Sequence, residues 1–465
     1  MGDIRFLLNG QPMVLENPDP TLTVLDWLRE AKHLTGTKEG CNEGDCGACS
    51  VSLAAMEDGR LVHRAVNSCI LFLPHLHGKS LTTVEGISPN GKLHPVQQAM
   101  VEHHGSQCGF CTPGIVMSLY AAHREGRQDH NDVLAGNLCR CTGYVPIQRA
   151  AEAAAKQPQP EFFDEAAALQ NLTLTNDAID GAYLPTDLDD FANWYVKNPN
   201  ATLIAGATEV GLEVTKALKD LTNLAFLNRL DALKTIANDD NGIRIGAGVT
   251  LSQLRSAMVG KHTDFVEMLR RFGSVQVRNT GTIGGNIANG SPIADSPPAL
   301  IAMGASITLR RGDKQREILL EDFYLSYGVQ DRQPGEFVES LFIPNQPDTV
   351  GIYKISKRFD QDISAVCGGF SITIENDKIT NSIIAFGGMA ATSKRAKTVE
   401  AALNGQPWSE ATIKAAMQKF ADDFTPLSDV RGTADYRLKI VQNLLWRYWL
   451  ARNGTSANVL AEVAK

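Results

Sequence analysis

Apolar and polar residues alternate between Ile4 and Glu16, and Asn9-Gly10 interrupts the alternation. A period of two indicates half-buried strands, and Asn-Gly between two such runs is a strong signal for a hairpin turn. From Thr23 to Lys32 the apolar residues instead recur with the spacing of an amphipathic helix. A hairpin followed by a helix fits a β-grasp, ferredoxin-like domain, which we predict over residues 1–87.

Helical periodicity replaces the strand pattern after Gly86. It covers Val96 to His103, Ile115 to Arg124 and Pro146 to Ala155. We therefore predict a small helical domain over residues 88–157. The polar stretch that follows has little periodicity, so we interpret residues 158–181 as a linker.

The remaining chain predicts two further domains, one over residues 182–347 and one over residues 348–465. The first has the mixed pattern of an α+β domain in two parts. The second, which we predict to be α/β, has strand patterns at Ala365 to Ile374 and Ile379 to Phe386, and helices beginning near Ser409 and Ala434. The fold class is therefore α+β and multidomain.

The bulk composition excludes several classes of protein. A chain of 465 residues is too long for one core, and its net charge of −8 includes no long run of one sign. Binding to nucleic acid or to an anionic membrane is disfavoured. The first residues are too weakly apolar for a signal peptide, and no segment approaches the ~18 apolar residues of a membrane span. We expect a cytoplasmic protein.

Eight of the nine cysteines lie in the first third of the chain, in two sets with different spacings. The first set has the spacing C-x4-C-x2-C with a distant fourth cysteine, which is how plant-type ferredoxins hold a 2Fe–2S cluster. A zinc site fits this spacing badly, and disulfides need an oxidising compartment. The first set consists of Cys41, Cys46, Cys49 and Cys69.

The second set, taken alone, is also compatible with zinc. It consists of Cys108, Cys111, Cys139 and Cys141, and each of its two pairs precedes a predicted helix. Helix starts suit an anionic cluster, because free N–H groups and the positive end of the helix dipole lie there. We therefore predict a second iron–sulfur site.

Two small-residue turns are candidates for binding a pyrophosphate. They are Leu203 to Gly211 and Gly281 to Asn289, where backbone N–H groups can approach a phosphate without side chains in the way. Either turn alone is more often only a tight turn. The chain has no G-x-G-x-x-G and no Walker motif, so a Rossmann nucleotide site is disfavoured.

The strings TGTKEGCNEGDCGACS and SQCGFCTPG…GNLCRCTGY resemble the iron–sulfur portion of the molybdenum hydroxylases, the family of xanthine dehydrogenase and aldehyde oxidase. The later glycine turns resemble that family's FAD domain, so the resemblance covers nearly the whole chain. It implies two 2Fe–2S clusters and FAD in this chain, with molybdopterin on a separate partner chain.

The resemblance also implies residue roles. Gln107 is placed at the pterin edge, and Ala207 and Asn289 depart from the residues that relatives often carry. The implied flavin-binding residues are Leu203, Ile204, Ala205, Gly206, Ala207, Thr208, Glu209, Val210, Phe272, Thr282, Ile283, Gly284, Gly285, Asn286, Asp295, Val338 and Lys354.

The function implied by the resemblance is an electron relay. Molybdenum-centre oxidation of hypoxanthine or xanthine to uric acid on the partner would send electrons through the clusters to FAD and on to NAD+, in a heterotetramer of two chain pairs. Two alternatives remain open: the same relay in an aldehyde or N-heterocycle hydroxylase, and a ferredoxin-like carrier without flavin. Cys367, His103, His104 and Ser291 show no pattern that assigns them chemistry.

Overall fold

The computed structural model describes residues 2–88, 91–160, 163–174 and 178–455. Strands β1 (Asp3–Leu8) and β2 (Gln11–Glu16) form the predicted hairpin, with Asn9 and Gly10 both at positive φ. Strands β3 (Ser50–Glu57), β4 (Arg60–Asn67) and β5 (Ser80–Thr82) complete a sheet of order β2-β1-β5-β3-β4. Because β1 and β5 are parallel while the other pairs are antiparallel, this unit is the predicted β-grasp.

The helix predicted from Thr23 to Lys32 is helical but not uniformly α. It begins as α1 (Val24–Asp26) and continues as a π-helical turn over Trp27–Ala31. Thr23 caps it by accepting a hydrogen bond from the Asp26 amide. The Lys32 amide reaches back to the Trp27 carbonyl, five residues earlier, which widens the turn.

The second unit is helical, as predicted. It contains α2 (Pro95–Glu102), α3 (Thr112–Arg124), α4 (His130–Leu134) and α5 (Val145–Ala154). Ile115, Leu119 and Ile147 lie in its own buried core. The predicted linker is partly wrong, because its described residues include helix α6 (Glu165–Gln170) and strand β6 (Ala178–Ile179). Strand β6 pairs with β7 (Ala182–Tyr183) and so belongs to the next sheet.

The third unit has two parts, each with its own sheet. In the first part, α7 (Leu188–Lys197), β8 (Thr202–Ile204), α8 (Val210–Thr215) and β9 (Leu224–Phe226) follow, and the sheet order is β6-β7-β9-β8. Part of its core is shared with the β-grasp unit, since Phe72 and Phe226 meet edge to face with ring centroids 6.4 Å apart.

The second part is built on an antiparallel sheet of order β10-β11-β16-β12-β13. Its elements are β10 (Ile236–Asn238), β11 (Gly242–Gly246), α9 (Leu251–Met258), α10 (Thr263–Arg270), α11 (Val275–Thr280), α12 (Ile283–Asn289), α13 (Ser296–Ala302), β12 (Ser306–Arg311), β13 (Lys314–Leu319), α14 (Leu320–Phe323), β14 (Tyr324–Ser326), β15 (Val329–Gln330) and β16 (Phe337–Pro344).

The C-terminal unit is α+β where the sequence predicted α/β. Strands β17 (Gly351–Ile355), β18 (Val366–Glu375), β19 (Lys378–Gly387) and β20 (Lys394–Arg395) pair only in antiparallel fashion. The helices α15 (Lys397–Leu403), α16 (Glu410–Met417), α17 (Phe420–Asp423) and α18 (Ala434–Arg452) follow the sheet. Consecutive strands joined by short turns cannot form the parallel crossovers of an α/β sheet.

Candidate functional site

The four cysteines of the first set are brought together as two pairs. Cys41 and Cys46 share a side-chain hydrogen bond, as do the buried Cys49 and Cys69. The Cys46 contact lowers the pKa of the Cys41 thiol to about 5 and raises that of Cys46. The Cys69 contact likewise lowers the pKa of Cys49. The contact within each pair therefore favours the thiolate form of one member, and the thiolate is the form that binds metal.

Backbone amides surround the sulfurs of this loop. The amides of Asp45 and Cys46 each lie 3.3 Å from Cys41 Sγ, and the amide of Cys41 lies 3.4 Å from Cys46 Sγ. Gly44 and Gly47 lie at positive φ, which lets the chain curl around the sulfurs. Such N–H donors stabilise negative charge on cluster sulfurs and tune cluster potentials.

The second set also forms two pairs, at the start of two helices. Cys108 contacts Cys141, and Cys111, the N-cap residue of α3, contacts Cys139. Burial alone would raise the pKa of the Cys139 thiol, but hydrogen bonds from Thr142 outweigh this effect, and the net pKa is lowered. Cys108 and Cys141 are exposed, so this set reaches the surface of the chain.

A tyrosine fixes the loop that carries Cys139. The hydroxyl of Tyr144 donates to the Asn137 carbonyl at 2.9 Å and accepts from the Cys139 amide at 2.7 Å. Tyr144 has φ 69°, a strained conformation for a residue with a side chain, so these two bonds hold it against that strain.

The donor sets fit 2Fe–2S clusters. Four thiols arranged as two pairs match a two-iron cluster in which each iron takes two cysteine ligands. The same pairing of thiols occurs at both sets.

The two thiol loops touch each other directly. The amide of Leu138, next to Cys139, donates to the carbonyl of Cys46 at 2.9 Å. The side chain of Asn137 donates to the Gly47 carbonyl, also at 2.9 Å. One hydrogen bond therefore joins the backbone of a first-set cysteine to the residue beside a second-set cysteine.

The first flavin-loop candidate presents a row of free backbone donors. It follows β8, and the consecutive amides of Gly206 to Glu209 have no hydrogen-bond acceptor in the described chain. Ala207 has φ 58°, so neighbouring amides turn toward one side, as in an anion-binding nest. These donors fit a pyrophosphate group.

The second flavin-loop candidate differs from the prediction. Its amides at Ile283, Gly284 and Gly285 are bonded to Val249, Ala247 and the hydroxyl of Thr282. What the loop offers instead is the exposed Gly285 and the Nδ2 donors of Asn286, which have no acceptor in the described chain. The loop therefore supplies open space and a side-chain donor more than backbone donors.

The two flavin loops lie against each other. A Cβ on Gly206 would overlap the carbonyl oxygen of Thr280, and a Cβ on Gly284 would overlap Ala247. A Cβ on Gly285 would meet only Thr282 Oγ1, at 3.0 Å. The close approach therefore requires glycine at 206 and 284, and the free face at 285 is open to a ligand.

The predicted flavin contacts Asp295 and Lys354 form a buried ion pair. Lys354 Nζ lies 2.5 Å from Asp295 Oδ2, and Ser364 Oγ lies 3.0 Å from Lys354 Nζ and 2.5 Å from Asp295 Oδ1. Lys354 is on β17 and Asp295 caps α13, so the pair joins the third unit to the C-terminal unit. No pattern in the sequence singled out Ser364 as the third member of this group.

The other predicted flavin neighbours lie in or against one core. Val338 is buried on β16, and Phe272 packs against the same hydrophobic cluster after α10. The carbonyl of Glu339, next to Val338, accepts from the amide of Ala247, and the Ala247 carbonyl accepts from Gly284. Val338 thus lies on a strand that supports the second flavin loop from behind.

The first flavin loop packs on the first thiol set. Leu212 contacts the small core that contains Cys49, Cys69 and Ile70, and a Cβ on Gly211 would lie 2.7 Å from the Ile70 carbonyl oxygen. On the loop's other side, Lys216 Nζ lies 2.5 Å from the Cys41 carbonyl oxygen.

A buried histidine makes a further contact with this loop. His75 Nε2 lies 3.0 Å from the carbonyl oxygen of Ala205, and its Nδ1 lies 3.3 Å from that of Phe72. Sequence reasoning missed His75, because it follows the last first-set cysteine without any ligand spacing.

The remaining predicted residue, Gln107, lies on the exposed side of the second set. It is exposed, as are Cys108 and Cys141, and Phe110, Leu138 and Val145 expose about half of their surface nearby (50%, 45% and 52%). The second set is therefore surrounded by apolar side chains that face outward.

Four family models match consecutive parts of the chain. A 2Fe-2S iron-sulfur cluster binding domain matches residues 6–73, and a second 2Fe-2S binding domain matches residues 83–152. The FAD binding domain in molybdopterin dehydrogenase matches residues 177–346, and the CO dehydrogenase flavoprotein C-terminal domain matches residues 351–451. The chain belongs to the molybdenum hydroxylase family. As a member of that family, the chain contains two 2Fe–2S domains and an FAD-binding domain.

The chain is similar to longer curated proteins and to shorter solved chains. It is 31% identical to the xanthine dehydrogenase of Dictyostelium discoideum, over 96% of its own length and 40% of the relative's. It therefore spans about two fifths of the length of the curated relatives it matches. It is also similar to a solved CO dehydrogenase chain from Oligotropha carboxidovorans, with 25% identity and a TM-score of 0.52 over 56% of this chain and 93% of that one.

A second solved structure shows the same fold. Quinoline 2-oxidoreductase from Pseudomonas putida 86 is 22% identical, with a TM-score of 0.52 over 58% of this chain and 94% of that chain. Within the described ranges of the molybdenum hydroxylase chain, none of the helices combines the length and apolar character that crossing a bilayer requires.

Proposed function

We propose that this chain is the iron–sulfur and FAD subunit of a xanthine dehydrogenase, and that it carries electrons from purine oxidation to NAD+. The observation that supports this most directly is the spatial order of the three sites. The second thiol set reaches the surface, its loop is hydrogen-bonded to the loop of the more buried first set, and the flavin loop packs on the first set. That order is the one an electron path needs.

Separate groups of residues would hold the two clusters and FAD. Cys108, Cys111, Cys139 and Cys141 would hold the outer cluster, and Cys41, Cys46, Cys49 and Cys69 the inner one. The free amides of Gly206 to Glu209, together with Thr282 to Asn286, would hold the FAD pyrophosphate. When bound, clusters exchange single electrons and flavin passes two as hydride to nicotinamide.

A partner chain with molybdopterin is part of the proposal. Apolar side chains that expose about half their surface around Cys108 and Cys141, among them Phe110 (50%) and Leu138 (45%), suit burial against another protein. Gln107 lies at this surface and would approach the pterin. We expect an assembly of two chain pairs, in the cytoplasm, where a reducing environment keeps thiols available as ligands.

Purine as the substrate rests on similarity to xanthine dehydrogenases along 96% of this chain. The test is an anaerobic absorbance titration of the chain copurified with its natural partner. Xanthine should bleach the cluster and flavin bands, and NAD+ should restore them. Bleaching by dithionite but not by xanthine would contradict the purine assignment. The electron relay would still be supported, with an aldehyde or another heterocycle as the substrate.

Stoichiometric FAD is the second test. A flavin content near one per chain is expected from the two loops. Iron with acid-labile sulfide but no flavin would instead identify a ferredoxin-like carrier, and zinc without sulfide would contradict both.

A further inference from the structure

The side-chain amide of Gln276 lies where three parts of the chain meet. It is on α11, with 0% of its surface exposed. Its Nε2 lies 3.1 Å from Ser50 Oγ, 3.0 Å from Ser118 Oγ and 3.0 Å from Asn137 Oδ1. Ser50 follows a cysteine of the first set, Ser118 is on α3, and Asn137 is two residues before Cys139. One amide from the flavin-binding unit therefore contacts both iron–sulfur units.

The partners of Gln276 require a hydrogen-bond donor at its position. Asn137 uses its Nδ2 to donate to the Gly47 carbonyl and to Ser50 Oγ, so its Oδ1 must face Gln276. Ser50 Oγ donates to the Gly47 carbonyl at 2.7 Å and is left to accept from Gln276. The two hydrogens of the NH2 group satisfy these two acceptors, whereas a carboxylate would place oxygen against oxygen.

One atom of the Gln276 side chain is in an unfavourable environment. Its Oε1 is buried without a hydrogen-bond partner in the described chain. A Cβ on Gly136 would overlap this oxygen, so glycine at 136 is what makes room for the side chain. A buried oxygen without a partner is destabilising, so the donor side of the amide must offset that cost.

The helix that carries Gln276 also leads to the flavin loops. Helix α11 ends at Thr280, whose carbonyl oxygen is the atom that a Cβ on Gly206 would overlap. A displacement of α11 would therefore also displace the first flavin loop and both thiol loops.

We propose that Gln276 is a positioning residue that holds the two cluster loops at a fixed separation and orientation, and so sets the rate of electron transfer between them. The proposal rests on the proposed function, because it requires both clusters. Electron tunnelling falls steeply with distance. A loosened contact between the Asn137 loop and the Gly47 loop therefore slows transfer even when each cluster remains bound.

The test compares Gln276→Leu with Gln346→Leu in the holoenzyme, which is fully reduced by dithionite for electron paramagnetic resonance and is mixed in its oxidised form with xanthine for the rate of flavin reduction. Gln346 also makes one side-chain hydrogen bond, to the Met303 carbonyl at 2.8 Å, but lies in the C-terminal half away from the thiol loops. We expect Gln276→Leu to retain iron and FAD, to lose most of the magnetic splitting between the two cluster signals in electron paramagnetic resonance, and to slow flavin reduction at least tenfold. The control should change neither.

A second readout does not depend on activity. The Leu138 amide, which donates to the Cys46 carbonyl, should exchange its hydrogen at least tenfold faster in Gln276→Leu and in the equally sized Gln276→Glu. A merely structural role would lower the thermal stability of Gln276→Leu without changing the splitting or the Leu138 exchange.

The outcomes separate the two proposals. Two coupled cluster signals in the wild type, with unchanged splitting and unchanged Leu138 exchange in both Gln276 variants, would overturn the role of Gln276 alone. The absence of two cluster signals in the wild type would overturn the proposed function, and the role of Gln276 with it.

Discussion

The backbone amide of Leu138 donates to the carbonyl of Cys46 across 2.9 Å. Leu138 precedes one second-set cysteine, and Cys46 is itself a first-set cysteine, so this hydrogen bond joins the two ligand loops directly. Because Gly47 and Asn137 make the neighbouring contact, the two loops fit together over several residues. Small residues between the ligands thus serve this fit as well as access to the sulfurs.

Gly47→Ala should separate the two loops. Gly47 has φ 70°, and a Cβ there would overlap the Gly136 carbonyl oxygen. Gly59→Ala is the matched control, since Gly59 has φ 78° with nothing within 4 Å of its added Cβ. Both variants pay for the positive φ, but only Gly47→Ala adds a collision, which typically costs about 1–3 kcal/mol more. Urea unfolding that gives equal losses for both would contradict the tight fit.

Cys46→Ser should remove the first cluster's electron paramagnetic signal and leave the second's intact. Serine is a poor substitute for the thiolate that binds iron. Cys367→Ser is the control, because Cys367 is fully buried in a hydrophobic core and burial raises the pKa of its thiol. If both cluster signals survive in Cys46→Ser, the first set does not hold a cluster.

Gly206→Ala should lower the FAD content of the purified chain while its iron content stays constant. The new Cβ would overlap the Thr280 carbonyl oxygen and push the two flavin loops apart. We expect flavin affinity to fall at least tenfold, or about 1.4 kcal/mol. Gly405→Ala, where a Cβ meets nothing within 4 Å, should keep its flavin. Full flavin occupancy in both variants would be evidence against this pair of loops as the binding site.

Lys354→Met should destabilise the chain strongly. It leaves the Asp295 carboxylate buried without its ammonium partner, a change that typically costs 3–5 kcal/mol. Adding Asp295→Asn to the same chain should restore part of the loss, because the unpaired charge is then gone. Lys357→Met, at an exposed lysine, should have little effect on the free energy of unfolding. Strictly additive effects of the two changes at 354 and 295 would argue against a direct pair.

The free energy of unfolding should decrease as the pH falls, partly because His75 is buried in its neutral form. Burial, with a contribution from Lys79, lowers the pKa of His75 to about 4, below its ordinary 6.5. The unfolded state therefore takes up a proton first, so this contribution is present above pH 6.5 and is lost as the pH falls toward 4. A shift of this size corresponds to about 3 kcal/mol.

Urea unfolding between pH 7 and pH 4 checks the assignment to His75. His75→Gln should have a shallower dependence of the unfolding free energy on pH than the wild type, whereas His104→Gln, at an exposed site, should follow the wild type. Identical pH dependences for His75→Gln and the wild type would remove His75 as the cause.

The sequence predicted those parts of the site that have a fixed local spacing. The hairpin at Asn9-Gly10 and the helices that follow each pair of the second cysteine set are local patterns, and the structure confirms them. The π-helical turn at Trp27 and strand β6 were not predictable, because their form depends on packing against distant residues.

The contacts that join the units were equally beyond sequence reasoning. Gln276 is 139 positions from Asn137, and Ser364 is 69 from Asp295, so no periodicity links them. Likewise, the alternation of polar and apolar residues does not show that the amides of the second flavin loop are bonded internally while those of the first are free.

The edge-to-face contact between Phe72 and Phe226 bears on how the chain folds during synthesis. The core of the first unit includes Ile204 and Phe226, so it is completed only after the ribosome has released residues well beyond the helical unit. At ordinary rates of translation that interval is on the order of ten seconds. Cys49 and Cys69 lie in a small adjoining core against which Leu212 packs, so their burial is likewise completed only with the third unit. We therefore expect cluster insertion at the first set to precede the docking of Phe226.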